Sequence, residues 1–116
     1  MNEQDDVRLR HMLEAAQEAR EFAAGRRRSD LDADRMLLRA LTQAITIVGE
    51  AASRVSREFQ ESNPQIPWPD IVAMRNWLVH AYFDIDADQV WATVEEDLPP
   101  LIVELERLIP PRQGTP

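Results

Sequence analysis

One stretch of this chain concentrates groups capable of chemistry: Ala73-Met74-Arg75-Asn76-Trp77-Leu78-Val79-His80-Ala81-Tyr82-Phe83. A guanidinium, an amide, an imidazole and a phenol fall within a segment that is otherwise apolar. On a helix turning about 100° per residue, Asn76 and His80 are four apart and share a face. Arg75 and His80 are five apart, about 140° round the axis by the same arithmetic. Arg75 must therefore use its long stem to reach the imidazole's side. A base that titrates near neutral pH beside a fixed cation suits phosphodiester chemistry: the base moves a proton, and the guanidinium grips phosphate oxygens with two parallel hydrogen bonds. The same residue types also suit a polar network or a subunit contact on a half-buried helix.

The rest of the sequence predicts the elements that position this stretch. Residues 5–24 read as an amphipathic helix with Leu9, Met12, Leu13, Ala16, Ala19, Phe22 and Ala23 on its apolar stripe. Asp5 and Asp6 sit near its positive end, and Gly25 stops it. His11 lies off that stripe and reads as a solvated residue. Gly25-Arg26-Arg27-Arg28-Ser29-Asp30 is a turn with three adjacent cations, read as a solvated loop, with a phosphate contact feeding RNA toward the cleft or a salt-bridge patch for an acidic partner as the functional alternatives. Residues 31–62 form one long helical pattern opened by acceptors at Ser29, Asp30 and Asp32. Its seam runs through Leu37, Leu38, Leu41, Ala44, Ile45, Val48, Ala52, Val55 and Phe59. Gly49, Ala51 and Ala52 are small enough for close helix approach. Glu50, a polar residue within that seam, is a candidate partner for Arg75 or His80, and equally suits solvent.

Pro64, Pro67 and Pro69 impose a rigid break. Pro69 suits the first turn of the next helix, about 70–82, whose stripe is Ile71, Met74, Leu78 and Ala81, with Trp68 covering its start. Trp77 and Tyr82 could stack on a base, although aromatics at helical spacing are more often core. Asp84-Ile85-Asp86-Ala87-Asp88, with Glu95 twelfth, looks like the start of a calcium loop. Gln89 stands where the sharp turn needs Gly, and Asp86 with Gln89 reads better as a capping box. A fourth helix near 87–98 turns Val90, Trp91, Val94 and Leu98 inward. Pro99-Pro100 kinks or restarts it, and Leu101, Ile102, Leu105, Leu108 and Ile109 follow. The expected architecture is all-α: an up-and-down bundle of four main helices with a kinked C-terminal helix, one domain over residues 1–110 and a flexible polar tail over 111–116.

Composition bounds the function. The 116-residue chain is 44% hydrophobic and 29% charged, an ordinary globular balance, and a partner surface would help so small a chain bury its apolar faces. Its 13 basic residues are all Arg, it has no Cys, and its net charge is −8. An isoelectric point near 4.7 excludes a broad nucleic-acid footprint and confines any RNA contact to a few arginines in a cleft. The absence of cysteine fits a reducing cytoplasm, and no apolar run is long enough for a membrane span.

Arg75-Asn76-x3-His80-x-Tyr82 resembles the Arg-x4-His-x-Tyr signature of the HEPN ribonuclease toxins, specifically the HepT-like group. Ile47-Val48-Gly49-Glu50-Ala51-Ala52 is similar to that group's Ile-Gly-Glu-Ala segment. Ile66-Pro67-Trp68 with Ile71, Val90-Trp91 and Asp97-Leu98-Pro99 match it further, so the resemblance spans nearly the whole chain. Two positions depart: Ala81 stands where Gly is frequent, and Val48 replaces an Ile. The resemblance implies a HEPN-like dimer and a metal-independent endoribonuclease with no cofactor and no metal site. Arg75, His80 and Asn76 are the implied catalytic residues. In RNA the neighbouring 2′-hydroxyl is already placed to attack the phosphate. The protein then needs a base, an acid and positive charge, and one imidazole cannot make both proton transfers at once. Two chains bringing both His80 and both Arg75 residues to one cleft would supply them. The resemblance further implies a nucleotidyltransferase-fold antitoxin that adenylylates Tyr82, in a hetero-oligomer that can exceed the homodimer. The rival reading is an acidic, non-catalytic helical module that binds a nucleotide or a protein.

Overall fold

The computed structural model describes residues 1–76 and 85–110, and among them every regular element is helical. Trp77, Leu78, His80, Ala81, Tyr82 and the 111–116 tail, all singled out above, lie outside the described residues.

Helix α1 spans Glu3–Ala23. It starts earlier than the acidic pair at 5 and 6 suggests because the Asn2 side chain accepts the Asp5 N–H at 2.6 Å and caps the first turn. Leu9, Met12, Ala16, Ala19 and Ala23 are buried as their spacing requires. Phe22, placed on the same stripe above, is instead 39% exposed. At about 100° per residue it stands roughly 100° from the centre of the buried line, at the edge of the contact. Gly25 then takes a φ of 74°, the left-handed conformation glycine enters without steric cost, and the chain turns.

The single helix expected over 31–62 is three helices: α2 (Asp30–Ala33), α3 (Arg35–Ser53) and α4 (Arg57–Ser62). Asp34, in an extended conformation, caps α3 by accepting the Leu37 N–H at 3.0 Å, so it displaces Ser29, Asp30 and Asp32 as the opening acceptor. The second break has a long-range cause. Asp5, only 3% exposed, accepts both the Ser56 N–H at 2.8 Å and the Ser56 hydroxyl at 2.6 Å. The same hydroxyl oxygen accepts the Phe59 N–H and starts α4. Helical periodicity continues across residues 54–56, but a carboxylate from the other end of the bundle outbids the i−4 carbonyl for that amide.

After the proline-rich connection, α5 runs Trp68–Ala73. Trp68 is buried. Its indole N–H donates to the Asn63 carbonyl at 3.0 Å, and its ring meets Phe59 edge-on at 6.3 Å. Asp86 caps α6 (Ala87–Ala92) through the Gln89 N–H, which bears out the capping assignment. The last helix does not stop at the prolines. A π-helical segment, Thr93–Asp97, joins α6 to α7 (Leu98–Leu108). Leu98 donates its N–H five residues back to Thr93, so the wider turn admits two proline rings that would clash with the carbonyls four residues behind. Neither Pro99 nor Pro100 has an N–H to return to the preceding turn. Arg20 of α1 compensates, donating to the stranded Val94 carbonyl at 3.3 Å and to the Glu95 carboxylate at 3.0 Å.

The molecule measures 42 × 34 × 19 Å, so its thin dimension holds about two helix diameters. Helix α1 packs against α3 and α7, and α3 packs against α1 and α5, which puts α3 behind the helix that leads into Arg75. Among the described residues no helix is long and apolar enough to cross a membrane.

Candidate active site

Arg75 lies just past α5. The Met74 N–H donates to Ile71 at 3.1 Å and the Arg75 N–H to Val72 at 3.3 Å, each three residues back rather than four. The backbone therefore tightens at this point, as 3₁₀ turns do at helix ends. Met74 is buried and anchors the turn, Arg75 is half-buried, and Asn76 is exposed. Among the described residues no carboxylate or carbonyl holds the Arg75 guanidinium. His80 and Tyr82 lie outside the described residues.

What supports the turn is the middle of α3. A Cβ built on Gly49 would stand 2.6 Å from the Arg75 nitrogen, 3.0 Å from the Ile71 carbonyl oxygen and 3.2 Å from the Arg75 Cβ. Only a residue without a side chain lets α3 approach that closely. The neighbouring Glu50 is exposed, and its carbonyl accepts the Ser53 hydroxyl at 2.6 Å, so it stands on the solvent side of α3.

The three-arginine turn is an ion-pair patch. Arg26 faces Asp34 at 3.6 Å, and Arg28 bridges Asp32 at 3.0 Å and Asp88 at the start of α6. Those carboxylates, Asp88 foremost, raise the Arg28 pKa above its already high value. The Arg27 N–H is taken by the Asp30 carboxylate at 2.7 Å. Two of the three guanidinia are thus spent on acids within the chain, and Arg28 ties the α1–α2 turn to the element that follows the reactive stretch. His11 is exposed, as its position off the stripe predicts.

A cleft of about 830 Å³ opens between α5 and the π-α7 helix, and Met74 and Ile71 form part of its wall. Asp70, Asp97 and Glu104 also line it. Burial pushes the Asp97 carboxyl above the usual carboxylate range, with Glu96 and Asp70 adding repulsion and a hydrogen bond to Thr93 opposing them. A cleft that crowds carboxylates together repels a polyphosphate chain, so RNA has no favourable path through it. The cleft was not visible in the sequence, where Asp97 stood out only within Asp97-Leu98-Pro99, because Asp70 and Asp97 come together from elements far apart along the chain.

An all-α bundle that presents a half-buried arginine on a tight turn, ahead of a histidine and a tyrosine, defines a small helical protein with a polar site at one helix end. The chain belongs to the ribonuclease HepT-like family, whose profile matches residues 12–108, from the middle of α1 to the end of α7. Among its relatives is a protein of Thermococcus cleftensis named Probable ribonuclease HepT, 35% identical over 100 residues that cover 86% of this chain and 91% of the relative. A Methanocaldococcus jannaschii protein whose name offers it as a candidate RNase is 35% identical over 98 residues, covering 84% and 90%. A similarly named protein of Caldanaerobacter subterraneus subsp. tengcongensis is 30% identical over 101 residues, covering 87% and 90%. No solved structure matches the chain significantly.

Proposed function

We propose that this protein is a metal-independent RNA endonuclease, the toxin of a toxin–antitoxin pair, acting as a homodimer in the cytoplasm. The observation that carries the reading is the family match over residues 12–108, a span that includes Arg75, His80 and Tyr82, together with relatives matched over most of both chains. That Arg75 is half-buried, with no acid among the described residues claiming it, supports a role for its charge on a substrate.

In the proposed reaction the 2′-oxygen of one nucleotide forms a bond to the adjacent phosphorus, and the bond from phosphorus to the 5′-oxygen of the next nucleotide breaks. One His80 removes the 2′-hydroxyl proton, and the second His80 of the dimer gives a proton to the departing 5′-oxygen. The paired Arg75 guanidinia neutralise the phosphorane between these events. Asn76 orients the phosphate or the imidazole. The products are a 2′,3′-cyclic phosphate and a 5′-hydroxyl.

Cleavage of a labelled RNA by the purified protein tests the reading. Cleavage persists in EDTA and ends in cyclic phosphate, and His80→Ala removes it without unfolding the chain. Dependence on a divalent cation, or full activity in His80→Ala, would refute the scheme. The second half of the proposal concerns control. A nucleotidyltransferase antitoxin transfers AMP from ATP to the Tyr82 hydroxyl, releasing pyrophosphate. The added charge and bulk, two residues from His80, then block RNA. Co-expression with the antitoxin raises the intact mass by whole adenylate increments, and Tyr82→Phe abolishes that rise.

A further inference from the structure

We propose that Gly49 is a positioning residue for the nuclease site: its bare α-carbon is the seat against which the Arg75 backbone is set. The inference rests on the assignment of Arg75 to the reaction made above. Its geometry does not. A methyl group on residue 49 would meet the Arg75 nitrogen at 2.6 Å and the Ile71 carbonyl oxygen at 3.0 Å, against about 3.4 Å for an ordinary contact. Both obstacles are backbone atoms, so neither can swing aside as a side-chain end would.

The place of contact matters as much as its tightness. Ile71 and Arg75 bracket the turn in which the N–H of Met74 and that of Arg75 reach only three residues back. Gly49 therefore touches both sides of the bend from which the guanidinium departs. Two routes relieve the added methyl: the Arg75 backbone retreats, or α3 and α5 part. Each moves the origin of the Arg75 side chain by a large fraction of an ångström. Displacements of that size cost a reacting constellation about a hundredfold. Elsewhere in α3 the buried small residues Ala44, Ala51 and Ala52 already carry the methyl that Gly49 cannot. The requirement for glycine is confined to the position opposite Arg75.

The test separates positioning from folding and from the reading beneath it. Gly49→Ala, Arg75→Ala and their combination are each placed in an inactive His80→Ala chain. Binding of a fluorescent single-stranded RNA is then measured by anisotropy over a range of salt concentrations. Far-UV circular dichroism and thermal melting report the fold, and Ala16→Val on α1 serves as a packing defect remote in the chain from Arg75. A lost phosphate contact flattens the dependence of log affinity on log salt by about 0.7 for single strands. Gly49→Ala flattens it as Arg75→Ala does, the combined variant flattens it no further, and Ala16→Val leaves it unchanged. With His80 restored, Gly49→Ala lowers cleavage by about a hundredfold. An unaltered salt slope in Gly49→Ala alongside a flattened one in Arg75→Ala overturns the seat. Unaltered slopes in both show instead that Arg75 does not hold phosphate. Failure of Gly49→Ala to fold while Ala16→Val folds makes Gly49 a folding residue and also overturns the proposal.

Discussion

Two helix breaks in this chain are built in opposite ways. At Arg54–Ser56 the break is tied down by a side chain: the buried Asp5 carboxylate, 51 residues away, takes the Ser56 amide and hydroxyl together. At Met74–Arg75 no side chain among the described residues does this work. The backbone tightens of its own accord and is pressed against the glycine of α3. The first device spends a buried charge to hold the fold together. The second leaves the Arg75 guanidinium without an acid among the described residues, as its proposed role requires, because a guanidinium engaged by an acid in the chain would be useless for gripping phosphate. The three-arginine turn illustrates that alternative, with Arg26 and Arg28 already neutralised by Asp34, Asp32 and Asp88.

Substitutions at the two breaks should therefore separate activity from stability. The largest expected effect is on the site side. Arg75→Ala lowers RNA cleavage by at least a hundredfold while the free energy of unfolding, from urea titration, changes by less than about 1 kcal/mol. A large stability loss there would mean that the arginine is structural, and the contrast between the breaks would collapse. The reverse is expected at the pinned break. Asp5→Ala strands a buried amide and a hydroxyl and costs about 2–3 kcal/mol in the same titration, with cleavage per folded molecule unchanged.

A smaller effect belongs to the third irregularity, the π segment. Arg20→Met removes the donor that covers the Val94 carbonyl and costs about 1 kcal/mol, roughly 4 °C in Tm for a chain of this size. The smallest is pH-dependent. The folded state holds the Asp97 carboxyl above its ordinary value near 3.8, so its protonated form is favoured in the fold. Below that ordinary value both states are protonated and nothing is lost. As pH rises through the folded value, the native state must carry a charge it holds less well than the unfolded chain does, and stability falls. Asp97→Asn removes this decline, so the variant's Tm gains slightly on the wild type between acid and neutral pH. Screening by solvent keeps the gain small, since Asp97 is largely exposed.

The family was more legible than the frame around its motif. Arg75, Asn76, His80 and Tyr82 stand within eight positions, so their types and order could be recognised without a fold, and the family match agrees with that recognition. The apolar stripe of α1, the core positions of α3, the cap at Asp86 and the burial of Trp68, Ile71 and Met74 also followed from local spacing and turn chemistry. Those features depend on neighbours a few residues away.

What only the tertiary structure decided depends on neighbours far along the chain. Residues 31–62 keep a helical period throughout, yet the chain breaks at 54–56 because Asp5 is there to receive Ser56. Pro99-Pro100 foretold a kink, but a kink in a continuous helix needed a donor for the orphaned carbonyl, and Arg20 comes from α1. A glycine in the middle of α3 could be read as permission for close approach. That the approaching atom is the backbone nitrogen of Arg75 could not be read, because spacing specifies which face a residue occupies and says nothing of what the fold brings against it.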